Sequence, residues 1–420
     1  MGSRRDCTWI LALSGFRVVS MDEGASGRLV IRMERRGVRR YSCSGCGRRT
    51  GRVRSHRDRT WDDLPWATHH VTLVYPQRRL VCRHCGIRTE RIEFADPKAR
   101  VTRRLRQQIG VDCQSMPTSH AAVRHGVSWG KARRAEQAFL AEWDRTHVKR
   151  RPRHIGLDEI QRGKGQRFWT VLSDVVHGEV IGLRQDRSEA SATALLTEDL
   201  TARQRAAITA VCTDMHRPYL NAVGTTLPKA EIVFDKFHVL QHASAALDEV
   251  RRQEFFRASA VMRAHGRGKR WLLLRRWKTV RGSKRAELQA LFAANRRLFK
   301  AYVLREQLDR LWTYKTRPGV LNFLMGWFKA LRWQRLPEME QLGDFLLKHI
   351  EGIAAYCDHL VRFGVVEAIN TTIKAVLRRA RGMRDEAMLL LKLKWATAHP
   401  IRSARDLARF LTVQPLYSNR

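Results

Sequence analysis

Between residues 154 and 238 the chain sets short apolar runs between turns in an order that few folds accept. His154-Ile155-Gly156-Leu157 climbs straight into Asp158-Glu159. After Arg162-Gly163-Lys164-Gly165 comes Phe168-Trp169-Thr170-Val171-Leu172, and after His177-Gly178 comes Val180-Ile181-Gly182-Leu183. Runs this short, rich in β-branched and aromatic residues and divided by glycine-containing turns, predict three antiparallel strands. Ser188-Glu189-Ala190-Ser191 then caps a helix through Leu200. A strand over Ala207–Cys212 runs into Thr213-Asp214, a helix covers Pro218 to Val223, and a last strand, Glu231–Phe234, runs into Asp235-Lys236-Phe237-His238.

Three antiparallel strands, a helix, a strand, a helix and a strand make the order of a ribonuclease-H-like sheet. In it the first and fourth strands are neighbours, so Asp158 and Asp214 are expected side by side. A third carboxylate comes from the helix expected over 361–381. Val366, Ile369, Ile373, Val376 and Ala380 step by three and four along one apolar face. Beside it runs a polar stripe of Glu367, Asn370, Lys374, Arg378 and Arg381, one acid followed mostly by cations. A solvated face normally mixes signs, so the stripe is expected to bind DNA. Clustered carboxylates repel unless a cation neutralises them. Oxygen ligands suit Mg²⁺, or Mn²⁺ in its place, and two such ions would serve phosphodiester cleavage. Asp158, Asp214 and Glu367 are therefore the expected catalytic and metal-binding residues, with Asp235 and His238 accessory to them. Glu159 should point to the opposite sheet face, and Asp174 is expected in a turn.

Upstream stand two Cys-x-x-Cys pairs, Cys43/Cys46 and Cys82/Cys85, each followed by glycine. Two such knuckles closing on one ion give a tetrahedral structural zinc ribbon, with no open position for catalysis. The remaining four of eight cysteines are scattered singly, which suits a reducing compartment rather than a disulfide framework. Pro117-Thr118-Ser119, Gly126 and the N-cap Ser128 outline a helix-turn-helix. Its second helix carries Lys131, Arg133 and Arg134, expected to face a DNA major groove.

The α+β multidomain layout expected is thus a zinc ribbon over 1–98 and a helix-turn-helix over 99–147. A catalytic core over 148–248 is interrupted by an all-helical insertion over 249–354. The core resumes over 355–400 with the glutamate helix, and a tail occupies 401–420. Lys and Arg number 80 against 40 Asp and Glu, a net charge of +40. Such an excess speaks for a polyanionic partner, double-stranded DNA, and not a membrane, for which the sequence offers no long apolar span. The short run Trp9-Ile10-Leu11-Ala12-Leu13 has no signal-peptide cleavage site after it, so a cytoplasmic, nucleoid-associated location is expected.

The motifs Ile155-Gly156-Leu157-Asp158-Glu159, Thr213-Asp214-Met215 with Pro218-Tyr219, and Ile232-Val233-Phe234-Asp235-Lys236-Phe237-His238-Val239 resemble the DDE transposases of bacterial insertion sequences. So do Val250-Arg251-Arg252-Gln253-Glu254, Glu367-Ala368-Ile369-Asn370 with Ile373-Lys374, and Arg378-Arg379-Ala380-Arg381-Gly382. The chain is most similar to the "ISL-three" family, along nearly its whole length. The resemblance implies that Asp158, Asp214 and Glu367 are the catalytic triad. It also implies metal-dependent cleavage and strand transfer at terminal inverted repeats, and action as a homodimer or higher assembly on DNA. Arg362-Phe363-Gly364-Val365-Val366 stands where the family usually has a polar Asn-Gly turn. The alternative is a domesticated transposase-like protein that binds DNA without cutting it, which a complete carboxylate set argues against. A zinc-dependent RNA-binding protein would need an aromatic platform that the sequence does not display.

Overall fold

The computed structural model describes residues 8, 11–24, 27–37, 40–161, 168–257, 268–359, 361, 363–380 and 383–399. The Arg162-Gly163-Lys164-Gly165 break, Arg381 and the 401–420 tail lie outside them. The chain divides into two compact units, Met1–Val148 with Ile373–Arg420, and Lys149–Thr372.

The first unit opens with β1 (Phe16–Gly24), β2 (Arg28–Arg35), β3 (Tyr41–Ser42), β4 (Arg49–Thr50), β5 (Val53–Trp66), β6 (His69–Cys82) and β7 (Gly86–Thr89). The order β1-β2-β6-β5, with β7 on β6, makes a five-stranded sheet, and β3 pairs with β4 in the ribbon. Beside the ribbon, the segment over 1–98 therefore has a sheet and a core of its own. Leu11, Phe16, Ile31, Trp61, Leu73 and Phe94 pack together in it. β5 is the element that the sequence conceals. Its first six residues, Val53 to Asp58, are all exposed, and only Trp61, Asp62 and Asp63 are buried, so no apolar alternation marks it. Its two acids enter the interior because cations meet them there. Arg28 and Lys131 pair with Asp62 at 3.1 and 2.5 Å, and Asp63 takes Arg104 and the Thr102 hydroxyl.

Three helices follow, α1 (Arg103–Ser115), α2 (Thr118–Arg124) and α3 (Trp129–Thr146). Ser128 caps α3 by accepting from the Lys131 amide, and Gly126 turns the chain between α2 and α3 at φ +59°. The expected helix-turn-helix is there, packed through Leu105, Ile109, Ala122, Ala132 and Ala135.

The second unit is built on β8 (His154–Gln161), β9 (Phe168–Asp174), β10 (Glu179–Gln185), β11 (Ala210–Thr213) and β12 (Glu231–Phe234). Their order is β10-β9-β8-β11-β12. β8, β9 and β10 are antiparallel, and β11 lies parallel to both β8 and β12. β11 starts later than its apolar run, because the Ala207 and Ile208 amides turn back to Gln204 O and Arg205 O at 3.0 and 3.2 Å. Asp174 makes the turn after β9, accepting the Val176 and His177 amides. The helices α4 (Glu189–Glu198), α5 (Ala202–Arg205) and α6 (Arg217–Thr226) complete this αβ layer. Leu195, Leu196, Tyr219 and Val223 bury one face of the sheet with Ile155 and Leu157.

From here the described chain is helical: α7 (Lys236–Arg257), α8 (Arg270–Leu273), α9 (Ser283–Ala294), α10 (Arg296–Leu308), α11 (Arg317–Arg332), α12 (Pro337–Lys348), α13 (Ile350–Ala354) and α14 (Tyr356–His359). They share one large apolar core, in which Trp312 and Trp327 are buried. Then come α15 (Phe363–Ala380) and α16 (Glu386–Ala398). The division at Thr372/Ile373 falls inside α15. α16 groups with the first unit, where Met388 packs with Val111, Phe139 and Leu140. There the wholly buried Glu136 meets Lys392 and accepts the Thr118 hydroxyl at 2.8 Å. Among the described residues no helix is long and apolar enough to cross a membrane.

The close approach of α1 and α3 makes a test possible. A Cβ added at Gly110 would stand 2.2 Å from Phe139 Cγ. Gly→Ala within a helix ordinarily stabilises by about 1 kcal/mol. Here the overpacking should reverse the sign, and Gly110→Ala should destabilise the first unit by about 1–3 kcal/mol in thermal or urea unfolding.

Candidate active site and thiolate centre

Parallel register carries the three aspartates to one level. Leu157 pairs with Thr213, and Thr213 with Phe234. The next residues on those strands are Asp158, Asp214 and Asp235. Strand alternation gives each the face of the residue two before it: Gly156, Cys212 and Val233. Cys212 and Val233 pack with Val175 and Val366. A Cβ at Gly156 would meet Ser173 Oγ at 2.8 Å and Val366 Cγ2 at 3.7 Å. Glycine is thus what lets Ser173 and Val175 pack against β8 here, with Val366 of α15 at contact distance and Glu367 one residue beyond it. Glu159 faces away and lies 3.5 Å from Arg187.

Each aspartate is held by a backbone amide just after it. Asp158 Oδ1 accepts from Glu159 N at 2.7 Å, Asp214 Oδ1 from His216 N at 3.1 Å, and Asp235 Oδ1 from Phe237 N at 2.8 Å. Two further groups reach Asp158. Asn370 Nδ2 donates to its Oδ2 at 2.6 Å, and His238 Nε2 stands 3.9 Å from its Oδ1. Burial pushes the Asp214 carboxyl above the ordinary range, and the negative charge of Asp158 adds to this. The His216 amide and His238 oppose it. Asp235 is raised in the same way, first by burial, and Asp158 and Glu367 both add to it. These acids therefore share one field. Among the described residues, however, only the four cysteines form a group of three or more such ligands whose donor atoms all lie within 4.8 Å of one another.

The residues expected on DNA are placed less uniformly. Lys131 is paired with Asp62, and Arg133 with Asp385 at 2.8 Å. Arg134 is exposed near the start of α3. On α15, Lys374 and Arg378 are exposed. Asn370, expected in that stripe, is instead turned to Asp158. Its amide is a signal that spacing could have shown, because it lies three residues after Glu367 and so on the same helical face. Arg381 lies outside the described residues.

Cys43, Cys46, Cys82 and Cys85 converge, with Cys46 Sγ and Cys82 Sγ 3.6 Å apart. Gly47 and Gly86 take φ +74° and +66°, the left-handed turns that close each knuckle. The backbone amides of His84 and Cys85 hold the Cys82 thiol down to about 7. Crowding by Cys46, together with burial and Cys43, pushes Cys85 up to about 12. Four thiolates this close need a cation between them, and a soft tetrahedral donor set of this kind fits a structural zinc.

A thiolate ribbon, a helix-turn-helix and a domain with a carboxylate-edged sheet, in one strongly basic chain, are the parts of an insertion-sequence transposase. Three family models match in chain order: the zinc-finger of transposase IS204/IS1001/IS1096/IS1165 over residues 39–85, the helix-turn-helix domain of transposase family ISL3 over 90–138, and the ISL3 transposase domain over 155–393. The transposase for insertion sequence element IS1001 of Bordetella parapertussis is 31% identical over 358 residues, 84% of this chain and 88% of that protein. The transposase for insertion sequence element IS1557 of Mycobacterium tuberculosis is 25% identical over 408 residues, 90% of each chain. The chain belongs to the ISL3 family of transposases.

Two measurements test the sites as built. The purified chain should carry one zinc with four sulfur neighbours near 2.3 Å by X-ray absorption, and Cys82→Ser should lose the metal and the fold around the ribbon. A ribbon that stays folded without metal would refute this assignment. The second test concerns Asp235. A carboxyl whose folded pKa lies above its unfolded value of about 3.9 supports the fold while protonated. It opposes the fold once the pH rises through the folded pKa. In chelator, Asp235→Asn should therefore melt above the parent protein at pH 8, and the advantage should shrink towards pH 4.

Proposed function

We propose that the second unit is a ribonuclease-H-like nuclease core in which Asp158, Asp214 and Glu367 form the catalytic triad. The core begins near residue 148, is interrupted over 249–354 by a helical insertion, and resumes with α15. The ribbon over 1–98 and the helix-turn-helix over 99–147 bind the terminal inverted repeats of the element. The observation that supports this reading most is the level row of aspartates just beyond the last parallel pairs of β8, β11 and β12, with α15 near it.

Carboxyls whose ionisation is resisted by burial and by the charge of Asp158, as in Asp214 and Asp235, with oxygen as their only donor atom, fit hard divalent ions such as Mg²⁺ or Mn²⁺. When bound, such ions would activate the attacking oxygen and stabilise the leaving oxygen of the phosphodiester. The protein's own part is to hold the ligands. Asp158 and Asp214 are fixed by their backbone amides. Asn370 turns the Asp158 carboxylate and leaves Oδ1 on the His238 side. We read Asn370 as a positioning residue and not as a DNA contact. Asp235 and His238 adjust the local charge. Arg134, Lys374 and Arg378 are the exposed cations that would meet phosphate, whereas Lys131 and Arg133 serve first to seat α3. The tail at 401–420 carries no part of this reading. Action in the bacterial cytoplasm, as a dimer or higher assembly on DNA, follows from the same reading.

The experiment is cleavage of linear DNA bearing the element ends, in Mg²⁺. Asp158→Ala, Asp214→Ala and Glu367→Ala should each bring cleavage below detection while leaving end binding within about two-fold by gel shift, because they remove metal ligands and no phosphate contact. Asn370→Ala should slow cleavage about 10–100-fold, the usual cost of losing a ligand's hydrogen-bond partner. Wild-type cleavage by any of the three triad variants would overturn the assignment.

A further inference from the structure

The helices between Arg270 and Arg310 hold a site that the sheet edge does not use. A groove of about 570 Å³ opens between the turn at Trp277–Thr279 and the helices α9 and α10. Its walls are flat and apolar. Phe292 lies against Phe299 and Tyr302, with ring centroids 5.4 and 4.8 Å apart, and Trp277 joins them. Phe299 is 47% exposed, so a large ring stands open to solvent at the groove's edge.

The polar groups on the groove are few. The side-chain amides of Gln289 and Gln307 line it and make no hydrogen bond among the described residues. Glu306 accepts the Trp277 amide at 3.0 Å and pairs with Arg305. The Tyr302 hydroxyl is spent on Arg275 O at 2.9 Å. The mouth is cationic. Arg310 lines it, and the Arg285 guanidinium sits 4.4 Å over the Trp277 ring.

We propose that this groove receives one unstacked nucleobase of the DNA strand. The argument is complementarity on three counts. Aromatic walls stack any base through its π-face. Free carboxamides can pair with the amide and amino edges that a base exposes when it leaves the duplex. The cations at the mouth suit the phosphates on either side of that base. A neutral apolar ligand would use the walls and leave the cations without a purpose. The site rests on the transposase reading only in that DNA is the bound polymer.

The test uses the full-length protein and three generic duplexes: fully paired, carrying one bulged adenine, and carrying an abasic sugar in place of that adenine. The wild-type chain should bind the bulged-base duplex about ten-fold tighter than the abasic one, the order that ring stacking supplies. Val303→Trp, which fills the groove, and Phe299→Ala should bring that ratio to near one while leaving affinity for the paired duplex unchanged. Phe299→Tyr should keep the ratio. A wild-type ratio near one, or variants that retain it, overturns the proposal. So does a Val303→Trp change that alters only the oligomeric state, which would assign the groove to a second copy of the chain. If the wild-type chain binds none of the duplexes, the failure is that of the DNA reading itself.

Discussion

Three acids at one level of a sheet edge are an electrostatic liability, and much of the second unit is arranged around it. Asp214 and Asp235 are buried enough for their carboxyls to resist ionisation, and Asp158 raises both further. A hydrophobic sheet would not choose this arrangement. It is offset locally by three backbone amides, each donated from just beyond the acid it serves, and by Asn370 and His238. For Asp214 and Asp235 the offset depends on the chain turning immediately after the strand, whereas Asp158 stays inside β8 and takes the amide of its own neighbour. The register has a further requirement. Gly156 must stay a glycine because Ser173 and Val175 fill the space that its side chain would need. The packing beside Asp158 is thus tightest within the sheet and the turn after β9, and α15 touches it through Val366.

What could be read from the sequence follows how directly residue pattern maps to burial. β8, β9 and β10 alternate or run apolar, and they pair as their turns suggest. The cysteine knuckles and the Ser128 cap are short-range signals that need no tertiary context. The unmarked features all depend on long-range partners. β5 has no apolar alternation because its charged residues are solvated on one stretch and paired on another. Asp62 and Lys131 are 69 residues apart and Asn370 and Asp158 are 212 apart, and no local rule links them. The same holds for Lys392, whose buried partner Glu136 lies 256 residues earlier in the chain. A lysine inside the apolar run of α16 reads as a solvated exception until that carboxylate is known.

These pairings also bear on how the excess of 40 positive charges is distributed. Four of the first unit's buried acids, Asp62, Asp63, Glu90 and Glu136, are each met by a cation: Arg28 and Lys131, Arg104, Arg35, and Lys392. Removing one partner from a buried pair leaves an uncompensated charge and costs about 3–5 kcal/mol, so such cations are committed to the fold. A phosphate would have to outbid a desolvated carboxylate to recruit them. Exposed cations such as Arg134, Lys374 and Arg378 face no such competition, and counterion release on binding phosphate favours them directly. Strongly basic composition therefore overstates the number of side chains free for DNA. The recognition helix illustrates the difference: of its first three cations, two hold it against the rest of its unit and one is left facing outward. Position along a helix names candidates for a groove, but the buried acids beneath decide which of them are available to it.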